Sequence, residues 1–327
     1  MVGRCRLCLE ERELKRSHIL PDFAGRWLKD TSATGYLRYS GAPNKRHQDT
    51  ERLYLFCEPC EQRLSVWERK FRLEVFTKIV NDEPKPYRYG PWLLLFGVSV
   101  CWRAALLALE AGHDLSVLTP PERTLLSEAM ERWRGFMLGL HETPGVYRVQ
   151  MLALGVLAGF TGVKPPAGMN TYLARTLQTD ILAFGERHGI LAFAKIGPAV
   201  FVGFIRPPER AEQWKGTGLH VRRGEVPRDG GMPRSFYRYL EQQAARMVKA
   251  VRGDLSPRQH ERIREAYQRN PQRVAQSDAT RVLRADVEMF GDDFLLAKRP
   301  VRKRPAPRSS GSQGGQQAGP AHPPESN

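Results

Sequence analysis

The stretches CRLCLEERELKRSHILPDF (residues 5–23) and LFCEPCEQRLSVWERKF (residues 55–71) decide how the rest of this chain is read. Each holds a Cys-x-x-Cys pair. Two thiolates separated by two residues can turn both sulfurs toward one tetrahedral Zn²⁺, and two such pairs complete a closed site. The expected structural zinc ligands are therefore Cys5, Cys8, Cys57 and Cys60. Neither pair sits in the strand-to-helix context of a thioredoxin-like motif, and in a reducing compartment such pairs mean metal rather than disulfide. The fifth cysteine, Cys101, lies in an apolar run where a buried free thiol is expected.

The segment between the pairs specifies the kind of zinc fold. GYLRYS (residues 35–40) and ERLYLF (residues 51–56) are Tyr-rich and β-prone, and GAPNKRHQD (residues 41–49) has the Gly, Pro, Asn and Asp of a loop, so a hairpin is predicted. After the second pair, Leu64, Trp67, Phe71, Val75 and Ile79 recur at spacings of three and four, which predicts an amphipathic helix. Knuckle, hairpin and a helix whose first turn supplies the last two ligands is the order of a treble-clef zinc module. The N-terminus of such a helix carries free N–H groups and partial positive charge, suited to a phosphate.

Cys-x-x-Cys, a Ser-His-Ile-x-Pro element at residues 17–21, a loop Asn and a second Cys-x-x-Cys followed by a polar residue together resemble the four-cysteine branch of the HNH-superfamily nucleases, over roughly residues 1–80. The resemblance implies a histidine that activates water against a phosphodiester, an Asn that steadies it, and a second, catalytic divalent metal such as Mg²⁺ or Mn²⁺. Matched position by position, it implies His18 as general base, Asn44 as the orienting Asn, and Glu61 at the helical position where the family has His or Asn. Ser17 departs from the pattern, standing where many members have a metal-binding Asp. Asn44 also lies further upstream of Cys57 than the pattern expects.

Elementary chemistry asks for the same parts: a base with a pKa near working pH, a Lewis acid, and cations to meet developing charge. His18 can be the base. A serine hydroxyl is a poor ligand for a hard cation, so Asp22, Glu61 or Glu68 must supply the carboxylate, and Glu61 and Glu68 share one helix face. Lys15, Arg16, Arg26, Lys45 and Arg46 can contact nucleic acid. Each residue also has a purely structural alternative: His18 bonding the zinc frame, Glu61 balancing a helix dipole, Asn44 making a turn, the cations forming a solvated face.

The charge balance points the same way. Lys and Arg number 51 against 35 Asp and Glu, a net charge of +16, which favours a polyanionic partner. The Pro-, Gly-, Ser- and Gln-rich tail from residue 297 holds six bases and one acid, so about +11 stays with the rest of the chain. That tail is expected to be disordered. The N-terminus lacks an apolar core with a cleavage site, so a cytoplasmic location is expected. WLLLFGVSVCW and AALLALEAG, interrupted by Arg103, are not expected to span a membrane.

Beyond residue 85 the segments PWLLLFGVSVCWRAALLALE, PPERTLLSEAMERWRGFMLGL and TYLARTLQTDILAFGERHG are predicted helices. ILAFAKIGPAVFVGFI is predicted as two strands around a Gly-Pro turn, GTGLHVRR as a further strand, and FYRYLEQQAARMVKAVRG and SPRQHERIREAYQRNP as a final helical pair with Ser256 as a cap. The expected organisation is α+β: a treble-clef HNH-like zinc module over 1–84, a helix-rich α+β domain over 85–296, and the basic tail over 297–327. The expected function is metal-dependent cleavage of nucleic acid, DNA rather than RNA. The alternative is a non-catalytic zinc module that binds nucleic acid or protein. No Walker loop, dinucleotide fingerprint or hydrolase elbow is present.

Overall fold

The computed structural model describes residues 1–291 apart from 85, 111–114, 158, 160–163, 185–188 and 227–229. The expected disorder of residues 297–327 lies outside the described residues. The architecture is mixed helix and sheet, as expected.

The chain begins with β1 (Val2–Arg4) and β2 (Glu11–His18), antiparallel, with the first Cys pair in the turn between them. There the amide of Cys5 donates to Glu10 O at 2.9 Å, and Leu9 takes a left-handed φ of 67°. Then come α1 (Asp22–Asp30), β3 (Leu37–Tyr39), β4 (Ala42–His47), β5 (Arg52–Cys57) and α2 (Glu58–Phe71). A single π turn (Arg72–Phe76) and α3 (Thr77–Val80) continue α2. The predicted hairpin is corrected. β5 pairs with β2, from Leu14↔Cys57 to His18↔Arg52, while 35–40 pairs with the segment read as loop, through a two-residue Ser40–Gly41 connection. The charge of ERELKRSH hid a strand: only Leu14 and Ser17 turn inward, and the remaining side chains face solvent or its margin. The helical stripe is as predicted, with Leu64, Trp67, Phe71, Val75 and Ile79 all buried.

β6 (Tyr87–Tyr89) leads into α4 (Pro91–Glu110), then α5 (Pro120–Leu138) and β7 (Val149–Ala153). α4 is one uninterrupted helix with a mean hydropathy of 1.9 over its most apolar window, long and apolar enough to cross a bilayer, yet 89% of that window is buried inside the protein. It is the helix on which the molecule is built. α5 opens with a Thr119–Glu122 capping box and Pro at the first turn.

α6 (Met169–Arg175) is followed by β8 (Leu177–Ala183), β9 (Ile190–Ile196) and β10 (Ala199–Arg206). The long helix predicted over 171–189 is therefore corrected: Thr176 is extended (φ −115°, ψ 152°), and the chain beyond it pairs with β9 along its length. Sheet pairing outweighed local helix propensity. The antiparallel order is β7-β10-β9-β8. A 3₁₀ turn (Ala211–Trp214) and β11 (Gly224–Val226) follow; β11 pairs with β6, and GTGLHVRR contributes only the bridge Gln150↔Gly218. The last helices are α7 (Arg234–Gly253), α8 (Pro257–Arg269), α9 (Pro271–Gln276) and α10 (Asp278–Phe290), with Ser256 capping α8 by accepting from the Gln259 amide.

Alternation along β9 and β10 sorts side chains onto two cores. Phe201 joins the face packed on α4, where Phe71 of α2 stacks on Phe96 at 4.2 Å and meets Phe201 edge-on at 5.4 Å. Val200, Val202 and Phe193 pack on the other side with Tyr172 of α6 and Phe236 and Leu240 of α7. Gly203 lies against the Trp133 ring of α5, where a Cβ would come within 2.8 Å. The cysteine-bearing segment and α4 thus share one core across residue 84, each large side chain contributing about 1.5–3 kcal/mol on burial.

One charge sits inside that core. Arg103 of α4, 3% exposed, pairs with Glu68 of α2 at 2.8 Å and donates to the carbonyls of His18 at 3.1 Å and Ser99 at 3.3 Å. Burial raises the Glu68 pKa against the opposing pull of Arg103. Replacing Arg103 by Met strands a buried carboxylate and should destabilise the protein by about 3–5 kcal/mol in urea unfolding, with Glu68→Leu in the same chain recovering most of the loss. Additive losses would show that the pair does not couple.

Candidate metal frame and active site

The β2–β5 register places the two Cys pairs side by side. Cys5 and Cys8 close the β1–β2 turn, held against β5 by the Arg6 amide on Leu55 O at 2.9 Å. Cys57 is the N-cap of α2 and Cys60 lies in its first turn. All four sulfurs lie within 4.8 Å of one another, and none is in a disulfide. Cys8 Sγ and Cys57 Sγ are 3.7 Å apart. A tetrahedron with Zn–S bonds of about 2.3 Å has edges of about 3.8 Å, so the geometry of the set is compatible with zinc. The Cys57 amide donates to Cys5 Sγ at 3.4 Å. Burial raises the Cys5 pKa, but the amides of Cys57, Cys8 and Leu7 outweigh it and bring it down to about 7. Burial and the neighbouring thiols push Cys60 up instead. Four crowded thiols that cannot all ionise together form a donor set suited to a divalent cation.

At the far end of β2 a second group assembles. His18, Asp22 and Asp49 bring ligand atoms within 4.8 Å of one another, a set that can hold a metal ion. His18 Nε2 is 3.0 Å from Asp49 Oδ1 and 3.6 Å from Asp22 Oδ1, and Arg52 Nε donates to the same nitrogen at 2.8 Å. The imidazole is 15% exposed, and the carboxylates are about one-third exposed. Burial raises the Asp49 pKa, but hydrogen bonds from His18 and the Thr50 amide, with the charges of His18 and Arg52, hold it below the ordinary carboxylate range. Arg26 pairs with Asp22 at 2.6 Å, and Arg52 pairs with Asp49.

The two contacts on Nε2 demand opposite protonation. A guanidinium only donates, so Arg52 meets a lone pair, whereas a hydrogen bond to the Asp49 carboxylate needs an N–H. Arg52 and Asp49 thus face the same ring nitrogen, one as donor and one as acceptor.

Of the residues proposed from sequence, only His18 and Asp22 belong to this group. Asn44 is turned away from His18: its Nδ2 donates to Asp254 O at 2.6 Å and its Oδ1 accepts from the Ser256 amide at 2.8 Å. Glu61 stands outside the group, with a buried Oε1 that has no hydrogen-bond partner. Glu68 is taken by Arg103. Ser17, 2% exposed, points inward to its own strand's Lys15 carbonyl at 3.3 Å. Lys15 bridges Glu13 and Glu58, Arg16 is exposed, and Lys45 and Arg46 project from β4. Asp49, Arg52 and Arg103 were missed. For Arg103 there was a signal, since a lone charge inside an apolar helical run needs a buried partner.

No known protein family, no characterised protein and no solved structure matches the chain.

The donor set makes a direct prediction. Wild type should carry one zinc per chain, and Cys57→Ser should carry almost none by elemental analysis, with a melting temperature lower by on the order of 10 °C. Equal zinc content in the two proteins would rule out the four-cysteine frame.

Proposed function

We propose that the chain is a metal-dependent endonuclease of HNH type whose N-terminal part is a treble-clef zinc module with Zn²⁺ on Cys5, Cys8, Cys57 and Cys60. The observation that carries this reading is the gathering of His18, Asp22 and Asp49 at the end of the strand whose other end joins the cysteine frame. A divalent cation such as Mg²⁺ or Mn²⁺ on the two carboxylates would supply Lewis acidity and charge for a non-bridging phosphate oxygen. His18 Nε2 takes the proton of the attacking water, and Asp49 steadies the imidazolium that results. Arg103 holds the His18 backbone from behind through its carbonyl, the orienting part expected of Asn44. Arg26 and Arg52 are the cations nearest the scissile phosphate. A reducing compartment such as the cytoplasm would keep the cysteines ligating.

The buried Ser17 favours a second reading, a non-catalytic module kept for binding, because the acid expected at that position is missing. Asp49 answers it by bringing a carboxylate to His18 from another strand end.

The test is nicking of supercoiled plasmid and cleavage of single-stranded DNA and RNA by zinc-loaded protein with Mg²⁺ or Mn²⁺. His18→Ala should lower the rate at least about 100-fold with zinc content and melting temperature unchanged, and Asp49→Asn should lower it comparably. Absence of cutting by wild type under every metal would leave the binding module.

A further inference from the structure

The β3–β4 hairpin is a basic ribbon: residues 36–47 include Arg38, Lys45 and Arg46 and no acid. It is fixed at two places. Its base, at Leu37 and His47, lies two residues before Asp49; Tyr39, beside the Ser40–Gly41 turn, meets the His47 ring at 4.3 Å and donates from Oη to Asp49 O at 3.5 Å, so the ribbon adjoins the His18 group. The middle of β4 is clasped to the α7–α8 junction by Asn44, while Arg38 Nη2 donates to Gln259 Oε1 of α8 at 3.0 Å.

α8 continues the charge. Arg264 and Arg269 are spent on Glu261 and Glu265, but Arg258 and Arg262 form no ion pair among the described residues, and neither does Lys45. A six-residue strand and a 13-residue helix each extend about 20 Å, together comparable with about one turn of duplex phosphates. Of the ribbon's rings, Tyr36 lies under Arg46 at 4.4 Å, and Tyr39, 38% exposed, meets His47 edge-on at 4.3 Å. Charge spread along this length suits the regular phosphate backbone of a duplex.

We propose that the β3–β4 ribbon and α8 form one strip that binds duplex DNA through its phosphates and leads the backbone to the His18 group. The direction of the strip rests on the nuclease reading; the binding surface does not. Asn44 is a positioning residue for the ribbon. In this role it carries no charge to the DNA and fixes where Lys45 and Arg46 stand.

The experiment measures binding of a duplex of about 20 bp by fluorescence anisotropy across a salt series, in the full chain carrying His18→Ala. Lys45→Gln with Arg46→Gln, and separately Arg258→Gln with Arg262→Gln, should each weaken binding about tenfold near 0.1 M salt and flatten the log–log salt slope by about 1.8. Asn44→Ala should weaken binding with the slope nearly unchanged. Arg222→Gln with Arg223→Gln, two exposed charges before β11, should change neither quantity more than about twofold. The proposal is overturned if the strip variants bind like their parent, if the Arg222/Arg223 control loses as much as they do, or if the parent prefers single-stranded RNA. Strip-dependent binding by a wild type that never cuts would overturn the nuclease reading and leave the surface standing.

Discussion

Arg103 is the constraint on which the arrangement depends. A guanidinium in the middle of a buried apolar helix is costly to desolvate and is tolerated only if its donors find acceptors. The acceptors come from three places: Glu68 on α2, the Ser99 carbonyl one turn back on α4, and the His18 carbonyl at the end of β2. α2 cannot slide along α4 without stranding Glu68, and β2 cannot lift from α4 without releasing Arg103. The cysteine set fixes the opposite ends of β2 and β5. The strand that carries His18 is therefore held at one end by thiols and at the other by a buried guanidinium, which keeps its position independent of the flexible-looking loop chemistry around it.

What could be seen in the sequence was local. The cysteine spacing, the stripe from Leu64 to Ile79, the Ser256 cap and the β9–β10 pair around Gly-Pro all rest on neighbours within a few residues, and all appear in the structure. The failures are contacts between distant segments. β2 has the composition of a charged loop because it is half-exposed, and it becomes a strand through pairing with β5. β8 reads as helix until β9 is placed beside it. Asn44 looks like a partner for His18 because both lie between the Cys pairs, yet its amide is used some 210 residues later in the chain.

The acid beside the histidine follows the same logic. The motif resemblance expects it at the residue before His18, but on a strand that neighbour faces the opposite side, and here that side is the core. Ser17 suits a buried face, and a carboxylate there would be desolvated without a partner. Asp49, two residues after β4, approaches His18 from the solvent side, where Arg52 and the Thr50 amide keep it ionised. Function at such a site depends on which atoms meet, and an acid can enter from any segment that ends nearby.

The pairing of charges in the group adds a last physical point. Asp22 is neutralised by Arg26 and Asp49 by Arg52, so in the ligand-free protein the two carboxylates are balanced by two guanidiniums. These pairs are solvent-exposed enough to be weak, of the order of 1 kcal/mol or less. A divalent cation on the carboxylates would replace both arginines with a more concentrated charge, and the released guanidiniums, still tethered within reach, are the natural partners of an incoming phosphate. Metal and polyanion would then favour each other's binding, each relieving the charge the other leaves unpaired. A frame kept only to clip the N-terminus has no need of such a reversible balance of charge.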